Sequence, residues 1–282
     1  MGLRDILVVL DSGAASEGRL HLATSLARQQ GACLNVAYLQ DSRHDDYPFG
    51  MTVPRLGLVV GGSSAVAELM RTPTDTAEDR LRDYLRCFGD KGEWHSLERT
   101  EAAKLIALAQ TSDLTVVGQV NPDQGPIPSW SRPEEVVINS GRPVLMIPYI
   151  GRFPSIGERV LIGWDGSREA ARAIHDALPV IQSASSVTLI TVRGHARELE
   201  RDRGSMERVI RHLMRHQISV QADPTLRGSN SIADVLLSRA VDLAVDMIVV
   251  GAYHHSPLRE ALVGGVSRGL FQHMTVPTLM SH

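Results

Sequence analysis

The sequence predicts an α/β protein with two similar halves, each a doubly wound parallel sheet of five strands. Short apolar runs alternate with segments of helical periodicity, which is typical of right-handed β-α-β crossovers and of a parallel sheet covered on both faces. The same order of strand ends occurs twice along the chain. At 282 residues, the chain is long enough for two domains of about 140 residues. We therefore expect one domain over 1–150 and a second over 151–282.

The first repeat begins with a buried strand, Asp5–Leu10, and a helix over 14–30 leads from it into a second strand, Cys33–Leu39. The segment 41–76 follows. It is rich in Gly and Pro, which predicts a surface-loop insertion with a short helical piece near 66–70. The remaining predicted elements are strands at 93–98, 114–118 and 142–147, with a helix at 101–110.

The second repeat follows a connection at 149–158 and has the same order of elements. Its strands are predicted at 159–164, 187–192, 218–222, 247–251 and 276–280, with helices at 169–181, 199–217 and 231–245 and from Val266 onward. The offset between matching strands falls from about 154 to about 133 residues, so the first repeat contains roughly 20 extra residues. We place them in the segment 41–76.

Composition and charge set limits on location and partners. With a net charge of −3, the chain has no strong electrostatic case for binding nucleic acid or a membrane surface. Cys33 and Cys87 provide neither a disulfide framework nor metal-ligand spacing, which is typical of a reducing compartment. The sequence contains no signal-peptide segment and no apolar run that would span a membrane. We therefore expect a cytoplasmic protein.

The stretch 247–267, MIVVGAYHHSPLREALVGGVS, carries the strongest functional signal. A buried strand runs into Gly251, and a loop then leads to a helix. The small residues around the start of that helix are Gly264, Gly265, Val266 and Ser267. The first turn of a helix has unpaired N–H groups and about half a positive charge, so it suits an anion such as phosphate, and glycines there permit positive φ and close approach. The alternative is a glycine-rich helix start with nothing bound, since such starts are common and the Walker lysine is absent.

This stretch resembles the nucleotide-binding signature of the universal stress protein family, G-x-x-G, a nine-residue gap, then G-[ST]. Gly251 and Gly264 match the first and third glycines, and Ser267 matches a further small hydroxyl position. His254 stands at the second glycine and Gly265 at the first hydroxyl. The closing segment, MTVPTLMSH, also resembles the family's last strand. The resemblance covers nearly the whole chain and implies the tandem form, two adenine nucleotide alpha hydrolase-like domains packed as a pseudo-dimer.

The resemblance also implies an adenine nucleotide, ATP, bound across the carboxyl ends of the strands in the second repeat. Asp165 resembles the family aspartate near the adenine and ribose, and Val192 resembles the residue whose backbone meets the adenine. The phosphates would lie on the backbone of Gly264, Gly265, Val266 and Ser267. Without the resemblance, Asp165 is better explained as the N-cap of the next helix, and Val192 is an ordinary strand valine.

The first repeat has lost the signature. Gly118 is followed by QVNPDQGPIPSWSRPEE, in which Pro126, Pro128 and Pro133 cannot donate N–H groups to a phosphate. Asp11 remains as a candidate helix cap. We therefore expect at most one nucleotide per chain, with the first repeat acting as a docking or regulatory copy.

Other chemistry is less well supported. His254 and His255 suggest a metal site with His273 or His282, but adjacent histidines point to different sides, and no carboxylate or cysteine joins them at ligand spacing. The arginine-rich helix at 199–217 mixes basic with acidic residues, which favours a solvated face over nucleic-acid binding. We expect neither a metal nor catalytic residues, since no Ser–His–Asp or paired-carboxylate arrangement can be identified.

These features predict a stress-response or signalling module that binds ATP and acts through conformation, an unidentified protein partner or a homodimer of tandem chains. Two alternatives remain, an interaction protein of the same fold that binds no nucleotide and a slow ATPase. His254 predicts ATP affinity that is weaker than usual for the signature and that rises as the pH falls from about 8 to about 6, because histidine gains a charge in this range.

Overall fold

The computed structural model describes residues 2–11, 15–40, 92–98, 100–121, 132–252 and 265–282. The strands are β1 Asp5–Leu10, β2 Cys33–Leu39, β3 Trp94–Leu97, β4 Leu114–Gly118, β5 Val144–Ile147, β6 Arg159–Gly163, β7 Ser186–Arg193, β8 Val220–Leu226, β9 Met247–Gly251 and β10 Thr278–Ser281. The helices are α1 Ala15–Gln30, α2 Ala102–Thr111, α3 Pro133–Asn139, α4 Arg168–Ile181, α5 Ala196–Arg215, α6 Ile232–Asp242 and α7 Val266–His273. The predicted insertion at 41–76 lies outside the described residues.

All of these strands belong to one sheet, in the order β3-β2-β1-β4-β5-β10-β9-β6-β7-β8. Pairing is parallel within each half, whereas β5 and β10 pair antiparallel, with Leu279 opposite Leu145. The predicted fold class, two doubly wound five-stranded units in tandem, is confirmed. The family resemblance implies that the units pack as a pseudo-dimer but does not say through which elements. In the structure they pair edge to edge through β5 and β10, so the two predicted sheets form one continuous sheet.

The apolar core lies on both faces of this sheet, and each layer runs through both halves. One layer contains Ile6 and Leu145 from the first half together with Ile162 and Leu279 from the second. The central strands are buried on both faces, which explains why they are continuous apolar runs in the sequence. No helix in the described ranges is long and apolar enough to cross a bilayer.

A buried side-chain hydrogen bond also joins the halves. Gln119, directly after β4, donates from Nε2 to the carbonyl of Phe271 (2.9 Å) and accepts from the Tyr149 N–H at Oε1 (3.3 Å). Phe271 lies in the last turn of α7, where helix carbonyls have no intrahelical donor. The first half therefore fixes the end of a helix in the second half.

The outer edge of the second half is β8, which is longer than the predicted strand at 218–222. It continues through Pro224, which is tolerated because an edge strand has no partner on its outer side. Asp223 accepts from Arg239 Nε on α6 (2.7 Å) and from the Thr225 hydroxyl (2.8 Å). Burial acts to raise the pKa of Asp223, but the hydrogen bonds from Arg239 and Thr225 outweigh it and hold the pKa below its ordinary value.

Candidate functional site

The predicted site elements of the second half converge on one edge of the sheet. The strand order reverses at β6, which lies between β9 and β7. In doubly wound sheets, the crevice that binds ligands lies beyond the carboxyl ends of the strands at this point, and this edge is called the crevice below. Asp165 follows β6, Val192 lies near the end of β7, and Gly251 ends β9. Only residues 274–277 separate α7 from the start of β10, so α7 runs antiparallel to the strands and begins at the same edge. His254 and Gly264 lie outside the described residues.

Asp165 supports the turn after β6 and does not cap α4. The N-cap is Ser167, whose hydroxyl accepts from the Ala170 N–H (3.0 Å). The Asp165 Oδ1 accepts from the Ser167 N–H (2.9 Å), across Gly166 with φ +87°. The interpretation of Asp165 as the helix cap is therefore wrong, because the cap lies two residues later. Asp165 itself is exposed to solvent.

Val192 directs its backbone, and not its side chain, towards the crevice. Its side chain is buried. Successive residues of a strand turn their N–H and C=O groups to opposite neighbours. The Ile190 carbonyl accepts from the Trp164 N–H on the β6 side (2.8 Å), and the Arg193 carbonyl accepts from the Arg227 N–H on the β8 side (2.9 Å). Val192, two residues after Ile190, therefore points its carbonyl to the β6 side, beyond the last residue of β6.

That carbonyl has an internal partner, the side chain of Arg193. The guanidinium donates from Nη1 to the Val192 carbonyl (3.2 Å) and from Nη2 to the Asp165 carbonyl (2.9 Å). Its Nε donates to Asp202 Oδ2 on α5 (2.6 Å). One side chain thus bridges the end of β7, the turn after β6 and a helix. No sequence motif singles out Arg193, although a basic residue directly after the predicted adenine contact is a usable signal.

Gly251 is required by packing. A Cβ added there would collide with the Ala170 nitrogen and lie 2.6 Å from the Glu169 carbonyl carbon and 2.9 Å from the Glu169 Cβ. The φ angle of Gly251 is not in the left-handed region. The absence of a side chain at this position therefore lets the first turn of α4 rest directly on the end of β9.

The start of α7 is extended at its cap. Gly265 is the N-cap, with φ −65° and ψ 161°, so this residue does not use the positive φ that a glycine permits. A glycine cap offers no side-chain acceptor to the first N–H groups of the helix. Ser267 is buried and Val266 is half-buried. The first turn of α7 therefore depends on groups other than its cap residue to satisfy these donors.

In the first half, an arginine fills the corresponding edge. Arg19 is 4% exposed and donates from Nη2 to Asp11 Oδ2 (2.8 Å) and to the Ser16 hydroxyl (2.6 Å). A Cβ added to Gly118, the counterpart of Gly251, would collide with Nη1 of Arg19. The guanidinium therefore lies directly on the glycine at the end of β4. Asp11, the candidate cap residue, is the ion-pair partner of this arginine.

The proline-rich loop after Gly118 is described only at its ends. Pro133 is the first residue of α3, where the missing N–H removes one donor from the helix start. Pro126 and Pro128 lie outside the described residues. The start of α3 therefore has one fewer backbone N–H donor than the start of α7.

No group of three or more His, Cys, Asp or Glu side chains in the described ranges is placed to hold a metal ion. His273 is the last residue of α7, and the His282 Nδ1 lies 3.1 Å from the Ala252 carbonyl. His254 and His255, the other members of the suggested cluster, fall outside those ranges.

Comparisons with known proteins agree with this architecture. Residues 157–282 match the model of the universal stress protein family. Among curated protein sequences, none matches the chain significantly. A universal stress protein from Archaeoglobus fulgidus DSM 4304 superposes with a TM-score of 0.66 at 14% identity, covering 98% of this chain and 97% of its own.

Two further solved structures are similar. A putative universal stress protein from Pseudomonas aeruginosa UCBPP-PA14 has a TM-score of 0.65 at 16% identity and covers 99% of this chain and 93% of its own. A shorter universal stress protein, solved in complex with cAMP, covers 44% of this chain and 96% of its own, with 20% identity and a TM-score of 0.36. The segment 157–282 therefore belongs to the universal stress protein family, and the chain as a whole has the fold of universal stress proteins of similar length.

Proposed function

We propose that the second half binds one adenine nucleotide, ATP, and that the protein acts as a stress-response or signalling module through a change in conformation or in partner binding. The observation that carries the proposal is the convergence of the exposed Asp165 turn and the start of α7 at the point where the strand order reverses. Ligands of doubly wound sheets bind at this point.

Each contact in this proposal is implied by the family resemblance, and it is supported by the position of Asp165, Val192 and the start of α7 at one edge of the sheet. Asp165, exposed beside the crevice, would accept a hydrogen bond from a ribose hydroxyl. The Val192 backbone, directed beyond the end of β6, would contact the adenine. The phosphates would bind to the first N–H groups of α7, where the helix dipole favours negative charge. Gly251 contributes indirectly, because it lets α4 and the Asp165 turn pack against β9.

The stoichiometry should be one nucleotide per chain. In the first half, the volume above Gly118 is occupied by Arg19, whose charge is already paired with Asp11. A ligand there would have to displace a buried side chain and break its ion pair, which is costly. Two equivalent sites in a calorimetric titration would contradict this asymmetry.

The proposal can be tested by titrating ATP into the wild type and into Asp165→Ala. Loss of a hydrogen bond to a charged group should weaken binding by about tenfold or more. The matched control is Asp246→Ala. That carboxylate also accepts backbone N–H groups, from Gly157 (2.9 Å) and Glu158 (2.9 Å), but at the amino end of β9, so its loss should leave the affinity unchanged.

Two outcomes would favour the other functions. If the wild type binds no nucleotide at millimolar concentration, an interaction protein of the same fold is the better interpretation, and the internal hydrogen bond to the Val192 carbonyl is the observation that supports it. Steady phosphate release that disappears in Asp165→Ala would instead support a slow ATPase.

His254 gives a second test of the same proposal. Histidine at a position that prefers glycine should carry a steric cost, and its charge should help to bind phosphates at low pH. We expect His254→Gly to bind ATP more tightly at pH 8 and to respond less to pH between about 8 and about 6. If both proteins bind equally at both pH values, the ring does not face the phosphates.

A further inference from the structure

We propose that the Arg193 side chain competes with the adenine base for the edge of the crevice and couples nucleotide binding to helix α5. We call this side chain, in its hydrogen-bonded position, the latch. The inference rests on the proposed function, since it concerns the regulation of the same site. It starts from the three acceptors of one guanidinium, which are the carbonyls of Val192 and Asp165 and the carboxylate of Asp202.

The latch occupies the position at which the base would be recognised. Adenine presents an amino group, a donor, which would have to reach the Val192 carbonyl. Arg193 Nη1 already donates to that carbonyl, while Nη2 donates to the Asp165 carbonyl, so the guanidinium bridges the chain segments at the ends of β6 and β7. In this proposal the base and the guanidinium compete for the same edge of the sheet, and the arginine withdraws when the base binds.

The latch is held by a shielded ion pair. The side chains of Arg193 and Asp202 are 23% and 25% exposed, and their Nε–Oδ2 distance is 2.6 Å. Charge-assisted hydrogen bonds of this kind are stronger than neutral ones. Asp202 lies near the start of α5, so withdrawal of Arg193 removes a link between the crevice and this helix.

Helix α5 has a second link to the crevice, which binding would leave in place. Trp164, directly after β6, donates from Nε1 to the Ser205 hydroxyl (3.1 Å). Loss of the Arg193 link with retention of the Trp164 link would loosen the first turns of α5 without detaching the helix. Nucleotide binding in the crevice would thereby change the mobility of the first turns of α5.

Calorimetric titration of ATP into the wild type, Arg193→Ala and Asp202→Asn tests the latch. Arg193→Ala should bind ATP about tenfold more tightly, which is the equivalent of one charge-assisted hydrogen bond, and Asp202→Asn should show a smaller gain. Loss of a positive charge alone predicts weaker binding of an anionic ligand, so tighter binding points to the latch. The matched control is Arg172→Ala, which removes an arginine paired with Asp176 on α4 and should not change affinity.

Hydrogen exchange gives an independent measurement. Saturating ATP should increase amide exchange in the first turns of α5 in the wild type, whereas in Arg193→Ala these amides should already exchange faster without ATP. Asp202→Asn keeps the arginine, so it remains informative if Arg193→Ala folds poorly.

The outcomes separate the latch from the proposed function. Equal or weaker ATP binding by both Arg193→Ala and Asp202→Asn would overturn the latch and leave the nucleotide site standing. Loss of GTP binding in Arg193→Ala, with the wild type preferring GTP to ATP, would also overturn it, because the arginine would then read the base directly. Failure of every variant to bind any nucleotide would overturn both proposals.

Discussion

Replacement of Gly251 by alanine should destabilise the protein whether or not a ligand is bound. The new Cβ would lie 2.6 Å from the Glu169 carbonyl carbon and would collide with the Ala170 nitrogen. These are backbone atoms in the first turn of α4, so a rotamer change cannot relieve the contact. Overpacking costs about 1–3 kcal/mol, and a backbone obstacle places the cost at about 3 kcal/mol. For a chain of this size, that cost corresponds to a melting temperature lower by about 6–12 °C.

The assay is thermal unfolding followed by circular dichroism, with Gly18→Ala as the matched control. Gly18 lies on the exposed face of α1, and a Cβ added there would meet no atom within 4 Å. Alanine should stabilise the helix at this position by about 0.5–1 kcal/mol. The same substitution should therefore have opposite signs at the two glycines. If Gly251→Ala melts with the wild type but loses nucleotide binding, the packing explanation is refuted and the glycine serves the ligand.

Three further predictions concern buried or partly buried polar groups. Gln119→Leu should cost about 1–3 kcal/mol in chemical denaturation, because it removes two hydrogen bonds of a buried side chain, one to the Phe271 carbonyl and one from the Tyr149 N–H, whereas the exposed Gln110→Leu should have little effect. The pKa of Asp223 is lowered on folding, so the ionised carboxylate stabilises the folded protein fully above about pH 5, and this contribution is lost as the pH falls below about 4. The free energy of unfolding should therefore depend less on pH over this range in Asp223→Asn than in the wild type. Identical pH profiles for the two proteins would contradict this. Arg19→Ala should lower the free energy of unfolding by about 2–4 kcal/mol, measured by thermal unfolding. Arg19→Met should lower it less, because methionine refills the buried volume. Equal losses in the two variants would contradict this.

The strands of this fold could be predicted because most of them are buried on both faces. Met247–Gly251 and Leu114–Gly118 are continuous apolar runs that end in glycine, and the structure places both as central strands with the predicted bounds. Such runs need no information from the rest of the chain. The exposed edge strand β8 was predicted too short, because Pro224 ends a central strand but not an edge strand.

The contacts that were not predicted join residues far apart in the chain. Arg19 lies on a helix with a polar pattern, and its burial depends on Gly118, whose missing side chain makes room for the guanidinium. The apolar run of β10 indicates a strand, but nothing in it specifies β5 as an antiparallel neighbour. Likewise, Asp165 and Ser167 are both good cap residues, and only the geometry of the turn assigns the cap to Ser167.

The two halves have diverged at the same edge in ways that complement each other. After β4, the residue following the glycine is Gln119, which reaches across to the last turn of α7; after β9, the matching residue is Ala252, whose side chain cannot form such a bond. The half whose edge is filled by Arg19 therefore supports the helix whose first turn would hold the phosphates. Because helix α7 is only 8 residues long, support at its end also restrains its start. On this basis, we expect a change at Gln119 to alter the affinity for the proposed nucleotide as well as the stability of the protein.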